Sequence, residues 1–240
     1  MLVKEYNKKS GTQFSIECEK LLYRAKSKFQ NIKVYKSKKY GNVLMLDDCF
    51  MLTEKGNDQY HNKCISLIDE KLKNLNVLII GGGDFGLVKV LFEKFSINSL
   101  NIVEIDKQVI NVSKRFFPSF FKLNKKFKNK INTLIEDGYE WVKNNNILKF
   151  DVIIVDCTDP NLIAKRLYSE KFYKSVFNNL KTNGVLIQQS GSPYLDEKKI
   201  IEPTKKKLDK IGFKDISLHE FNMPIYPLGL WSFIKCRKAQ

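Results

Sequence analysis

Residues 156–160 read Asp156-Cys157-Thr158-Asp159-Pro160, two carboxylates three positions apart with a proline behind them. Proline disfavours helix at the residue before it, so the pair is expected on an extended loop with both side chains turned into a cleft. Such a pair suits a cationic amine. An alkyl amine attacks only when neutral, and removing a proton from a group of pKa about 10.4 costs roughly 4.6 kcal/mol at neutral pH. A buried carboxylate that takes the departing proton offsets part of this, within the roughly 10²- to 10⁴-fold range of general base catalysis. Asp156 is the candidate base and Asp159 the candidate amine anchor.

Other acids stand in equivalent places. Asp84, then Glu104 and Asp106, then Glu136 and Asp137 each close or follow an apolar run, as Asp156 does. One acid at a strand end is an ordinary helix cap. Recurrence at four successive runs points instead to a ligand site at the carboxyl edge of a sheet. The first run, Leu75 to Ile80, ends in Gly81-Gly82-Gly83-Asp84-Phe85-Gly86, in which Gly81, Gly83 and Gly86 fit G-x-G-x-x-G. Glu104 closes the next run about 20 residues on, where a carboxylate accepts hydrogen bonds from a ribose. A nucleoside-containing ligand beside an acidic amine pocket is the expectation.

The elements that must hold these residues follow from periodicity. Apolar strands at Leu75–Ile80, Leu100–Ile105, Ile131–Glu136, Phe150–Asp156 and Gly184–Gln189 are separated by helical stretches starting near Leu87, Lys107, Tyr139 and Glu170. Such alternation predicts an α/β, doubly wound, mostly parallel sheet. Ile216–Phe221 and Trp231–Cys236, with the Pro224–Gly229 turn between them, predict a closing antiparallel pair. Upstream, short alternating segments from Phe14 to Thr53 predict a small antiparallel β domain, residues 1–56, ahead of a catalytic domain, residues 57–240. A helix over Asp58–Leu72 joins the two.

The 240 residues are 43% hydrophobic, enough for a sizeable core. Met1 to Ser10 carry charges and no apolar core, and no stretch nears the roughly 18 apolar residues of a membrane span. Five scattered cysteines and two histidines make a poor metal set, and a reducing cytoplasm is the simplest setting. A net charge of +16 favours nonspecific contact with nucleic acid or an anionic membrane surface. Its densest patch, Lys122 to Lys130 with Phe120, Phe121 and Phe127, reads either as a base-stacking surface or as a solvated loop.

The ordered series Phe29-Gln30, Tyr40-Gly41, Tyr60-His61, Gly81-Gly82-Gly83-Asp84, Val103-Glu104-Ile105-Asp106, Asp137-Gly138, Asp156 to Pro160, Gln189 to Pro193 and Pro224 to Pro227 resembles the polyamine aminopropyltransferases, spermidine synthase-like members in particular. The resemblance implies a methyltransferase-like Rossmann fold and transfer of an aminopropyl group from decarboxylated S-adenosylmethionine to putrescine, giving spermidine and methylthioadenosine. The donor is a co-substrate, and no further cofactor is required. Carried over, Gln30 and Asp84 hold the aminopropyl end of the donor, with Gly81, Gly83 and Gly138 shaping its site. Glu104 takes the ribose and Asp137 the adenine. Tyr60, His61, Asp159 and Tyr226 position putrescine, and a homodimer or homotetramer is implied.

The chain departs from the family pattern at Met51, Asn62 and Leu162-Ile163. Met51 and Asn62 are expected where donor and amine meet, so that restoring an acid at Asn62 tightens putrescine binding. Two other readings stay open, an S-adenosylmethionine-dependent methyltransferase and a catalytically silent descendant that binds RNA or partners through its basic surface.

Overall fold

The computed structural model describes residues 1–8, 10–160 and 163–239. Two small antiparallel sheets come first. One pairs β1 (Leu2–Asn7) with β2 (Thr12–Glu17), and the other orders β3 (Lys20–Lys26), β4 (Asn31–Ser37), β5 (Gly41–Leu46) and β6 (Cys49–Thr53) consecutively. Val3 of β1 is buried with Ile16, Cys18, Tyr35, Val43 and Phe50. One buried side chain between exposed neighbours leaves no period to read, so cross-strand pairing decides this strand.

The other face of the four-stranded sheet, through Ile32, Val34, Leu44 and Leu52, packs on Val109, Val112 and Phe117 of the second half of the chain. This packing brings β5 and β6 over the main sheet. Between the two lies α1 (Asp58–Ser66), shorter than the expected helix to Leu72. Beyond its end the Asp69 side chain accepts from Lys71 N at 3.0 Å, a local turn that competes with the helical ladder.

The main sheet contains β7 (Leu75–Gly81), β8 (Ile97–Glu104), β9 (Ile131–Ile135), β10 (Phe150–Asp156), β11 (Leu180–Gln189), β12 (Phe213–Asn222) and β13 (Leu230–Lys238). Their order is β12-β13-β11-β10-β7-β8-β9, parallel from β11 to β9, with β13 antiparallel to β11 and β12. Strands β7 and β10 have four consecutive buried apolar residues each, as burial on both faces requires. The crossover helices are α2 (Gly86–Lys94), α3 (Lys107–Phe116), α4 (Gly138–Asn144) and α5 (Glu170–Asn179); α6 (Pro193–Asp196) and α7 (Glu202–Ile211) follow β11.

From β7 the chain winds outward through β8 to β9, then returns to β10 on the other side of β7. The winding reverses between β7 and β10, where ligands bind in open α/β sheets. Their carboxyl ends are in register, with Gly81 opposite Asp156.

In the basic stretch the rings pack onto the chain and the lysines face solvent. Phe120 is buried, Phe121 stacks on Phe85 and Phe127 on Phe92, both at 4.6 Å between ring centroids, while Lys122, Lys125, Lys126, Lys128 and Lys130 stay exposed. One face of Phe121 and one of Phe127 are taken by the chain's own rings. No helix among the described residues is long and apolar enough to cross a membrane.

Candidate active site

A cavity of about 630 Å³ opens at the β7/β10 switch point, between the main sheet and strands β5 and β6. That volume is of the order of a small-molecule site. Gln30, Tyr60, Gly81, Gly83, Asp84, Glu104, Asp137, Gly138, Asp156, Asp159 and Tyr226 all line it, so eleven of the twelve expected site residues converge. His61 is the exception.

The glycines admit the other groups. A Cβ on Gly81, whose φ is +84°, would lie 2.0 Å from the Asp156 carbonyl oxygen, and Gly82 N donates to that same oxygen at 3.0 Å. The β7 turn can therefore close against β10 only without side chains. Gly83 gives similar access to Glu104, whose Oε2 would lie 2.9 Å from an added Cβ.

Asp156 is the centre of the charge arrangement. Tyr60 Oη donates to its Oδ1 at 2.5 Å. Burial and the neighbouring Asp84 carboxylate raise its pKa to about 6, against the lowering pull of Tyr60 and His61. Asp84 accepts from Gly86 N at 2.7 Å and lies 3.4 Å from His61 Nε2, close enough for an ion pair yet off the hydrogen-bond direction. Burial raises Asp84, but His61 and the Gly86 amide outweigh it and hold the carboxyl below its usual range. For His61 burial lowers the pKa and Asp84 more than reverses this.

His61 thus stands behind Asp84 and not on the cavity wall, which corrects its expected place against the amine. Its ring fills the space beside Gly86, where an added Cβ would lie 2.0 Å from Cε1. Asn62, the next residue, is exposed and lines nothing in the cavity, so it does not stand where donor and amine are expected to meet. Successive helical residues turn by about 100°, and α1 sends Tyr60 to the cavity, His61 to Asp84 and Asn62 to solvent. Met51 does line the cavity, and its carbonyl accepts from Tyr226 Oη at 2.9 Å. Of the Leu162-Ile163 departure, Leu162 lies outside the described residues and Ile163 lines the cavity.

At the end of β8, Glu104 Oε1 accepts from Asp106 N at 2.9 Å, and burial raises Glu104 to about 7. Gln30 Nε2 donates to Asp106 at 3.0 Å. Asp137 caps α4, accepting from Tyr139 N at 2.8 Å.

Several wall residues escaped the reading of the sequence. Glu5, from β1, accepts from Phe50 N at 2.7 Å, and burial raises it to about 7 with Asp159 adding to the rise. Gln189 donates to Cys157 O at 2.8 Å, to Tyr168 Oη at 2.9 Å and to Asp159 at 3.3 Å, while its Oε1 accepts from Trp231 Nε1 at 3.2 Å. Arg166 lines the rim. Gln189 sits in a motif already singled out and Trp231 opens a predicted strand; Glu5 and Arg166 carried no local signal.

The glycine turn after β7 and the acids Glu104, Asp137, Asp159 and Glu5 thus share one cavity, with Asp84 and Asp156 also in its wall. Residues 57–240 match the family model described as Spermine/spermidine synthase domain, and residues 1–54 match the Spermidine synthase tetramerisation domain. The chain belongs to the spermine/spermidine synthase family. It is 38% identical over 232 residues to a polyamine aminopropyltransferase of Methanocaldococcus jannaschii, covering 95% of this chain and 77% of that protein. A polyamine aminopropyltransferase of Prochlorococcus marinus is 37% identical, covering 96% of this chain and 80% of the other. Among solved structures, a spermidine synthase in complex with the transition state analogue AdoDATO matches with a TM-score of 0.89 and 26% identity, over 100% of this chain and 80% of that one. The spermidine synthase of Thermotoga maritima matches over the same shares with a TM-score of 0.86 and 26% identity. Family membership accounts for the methyltransferase-like sheet and the small antiparallel strands ahead of it.

Proposed function

We propose that the protein transfers the aminopropyl group of decarboxylated S-adenosylmethionine to putrescine. The observation that carries this reading is Asp156, half-buried at the switch point with its carboxylate fixed by Tyr60 and its pKa raised to about 6. A base of that pKa takes a proton near neutral pH more readily than an ordinary carboxylate does.

In the reaction the neutral amine nitrogen attacks the aminopropyl carbon bonded to the sulfonium. The new C–N bond forms as the C–S bond breaks, the electron pair stays on sulfur, and methylthioadenosine leaves as a neutral thioether. The surplus proton on nitrogen passes to Asp156. Glu104 binds the ribose hydroxyls, Asp137 the adenine, and Asp84 with Gln30 the aminopropyl ammonium, with Gly81, Gly83 and Gly138 leaving room for the donor. Tyr60 and Tyr226 wall the methylene chain of putrescine. Its distal ammonium meets Asp159 and Glu5, two carboxylates whose charges already interact. The match of residues 1–54 to a tetramerisation domain supports a homo-oligomer, homodimer or homotetramer.

Purified protein incubated with decarboxylated donor and a panel of diamines tests the reading by the appearance of methylthioadenosine. Putrescine should give the highest kcat/KM. Intact S-adenosylmethionine should bind more weakly, because its carboxylate would lie against Asp84, and like charges in a desolvated site repel by several kcal/mol. Equal or tighter binding of the intact donor, with no methylthioadenosine, would overturn the proposal.

A further inference from the structure

Arg166 is the one cation among the described residues that line the cavity. It lies in a short turn of 3-10 helix, Ala164–Tyr168, downstream of the loop that carries Asp159. Three contacts fix its guanidinium. Nη1 donates to Asp137 Oδ2 at 3.2 Å, Nη2 pairs with Glu140, and the guanidinium carbon stands 3.9 Å from the centroid of the Tyr139 ring. Its backbone is tied in the other direction, because the Arg166 carbonyl accepts from Ser169 N at 3.2 Å and Ser169 Oγ at 2.7 Å, and Ser169 caps α5. The turn is therefore strapped between the N-termini of α4 and α5, across the rim of the cavity.

We propose that Arg166 is a positioning residue for the nucleoside end of the donor. It clamps the Asp137 carboxylate and holds segment 163–167 closed over the base. The inference rests on Asp137 being the adenine partner. Asp137 Oδ1 is taken by the Tyr139 and Glu140 amides, and the guanidinium takes one acceptor site of Oδ2. A carboxylate oxygen has two acceptor sites, so Oδ2 keeps one for an exocyclic amine, in a direction set by its other partners. A single exposed ion pair would fix little. A planar fork on two carboxylates, with a ring beneath it, is directional in a way that a lysine ammonium is not. Half the Arg166 side chain is exposed, so the clamp is open to screening by salt.

The test compares Arg166→Ala and Arg166→Lys with the unmodified protein in steady-state assays with decarboxylated donor and putrescine. Arg166→Ala should raise the donor KM about tenfold and leave kcat and the putrescine KM within about twofold, a loss of one directional contact. Lysine should not restore it. Raising the salt concentration should raise the donor KM of the unmodified protein and barely move that of Arg166→Ala. Glu140→Gln should raise the donor KM alone and add nothing in the Arg166→Ala background, because the two act as one clamp. An unchanged donor KM in Arg166→Ala, full rescue by lysine, or an equal loss in kcat would each overturn the proposal. Absence of turnover in the unmodified protein would sink the reaction and leave the clamp readable by calorimetry with methylthioadenosine. There, equal affinity of the two proteins, or no binding by either, would overturn it.

Discussion

The Tyr60 hydroxyl donates to Asp156 Oδ1 at 2.5 Å, joining the helix before the main sheet to the fourth of its strands in chain order. Tyr60 thereby stabilises the ionised form of Asp156, and its hydrogen bond lowers the Asp156 pKa against the effect of burial. Tyr60→Phe removes that donor. The Asp156 pKa then rises, so the acid limb of the kcat profile, expected near pH 6, moves to higher pH. Turnover at neutral pH should fall about 10- to 100-fold, the value of a hydrogen bond to a charged group. A limb that stays in place would show that Asp156 is not the group titrating.

Asp156→Asn should lower kcat at least about a hundredfold and leave donor affinity within about threefold, since the amide keeps the volume and loses the proton acceptor. Single-turnover rates with calorimetric donor titration check both halves.

Glu104 is buried, and its pKa is raised to about 7. Its ordinary value is about 4.3, so between these values the folded state holds a proton that the unfolded chain has released. Glu104 therefore favours folding below that window, and the advantage is lost as pH rises through it. Glu104→Gln cannot titrate. The change in unfolding free energy from pH 5 to pH 8 should be more favourable in the variant by about 2–3 kcal/mol, read from urea melts at the two pH values. Equal pH dependence of the two proteins would count against a buried, protonated Glu104.

Gly86 has no room for a methyl group, since an added Cβ would meet the His61 ring at 2.0 Å. Gly86→Ala should destabilise the fold by about 1–3 kcal/mol through overpacking and weaken donor binding by displacing His61 from Asp84. In a His61→Ala background the same substitution should be nearly silent in melting temperature. Additive losses would show that the clash relaxes elsewhere.

Asn62→Glu should leave putrescine KM unchanged and stability within about 0.5 kcal/mol, as for other exposed positions free of special contacts. A clear tightening of putrescine binding would mean that Asn62 reaches the amine in the complex.

The sequence by itself determined the sheet, its glycine turn and the acids at its edge. Each rests on contiguous residues: four consecutive buried apolar side chains in β7 and β10, glycines directly after β7, and acids closing or following strand after strand. These signals are local, and the carboxyl edge of a parallel sheet is on one side by construction. Tertiary structure alone decided which neighbouring residues face the cavity. Tyr60, His61 and Asn62 are adjacent, and the helix gives each a different surrounding, which no pairwise motif shows. It also decided the partners that come from far along the chain. Glu5 reaches the cavity only because β1 pairs with β2 and lies beside β6, where Phe50 N holds its carboxylate. Arg166 reaches Asp137 only because the turn before α5 passes α4. A charged residue in a chain of net charge +16 looks alike at every exposed position, and its role comes from the neighbours that folding supplies.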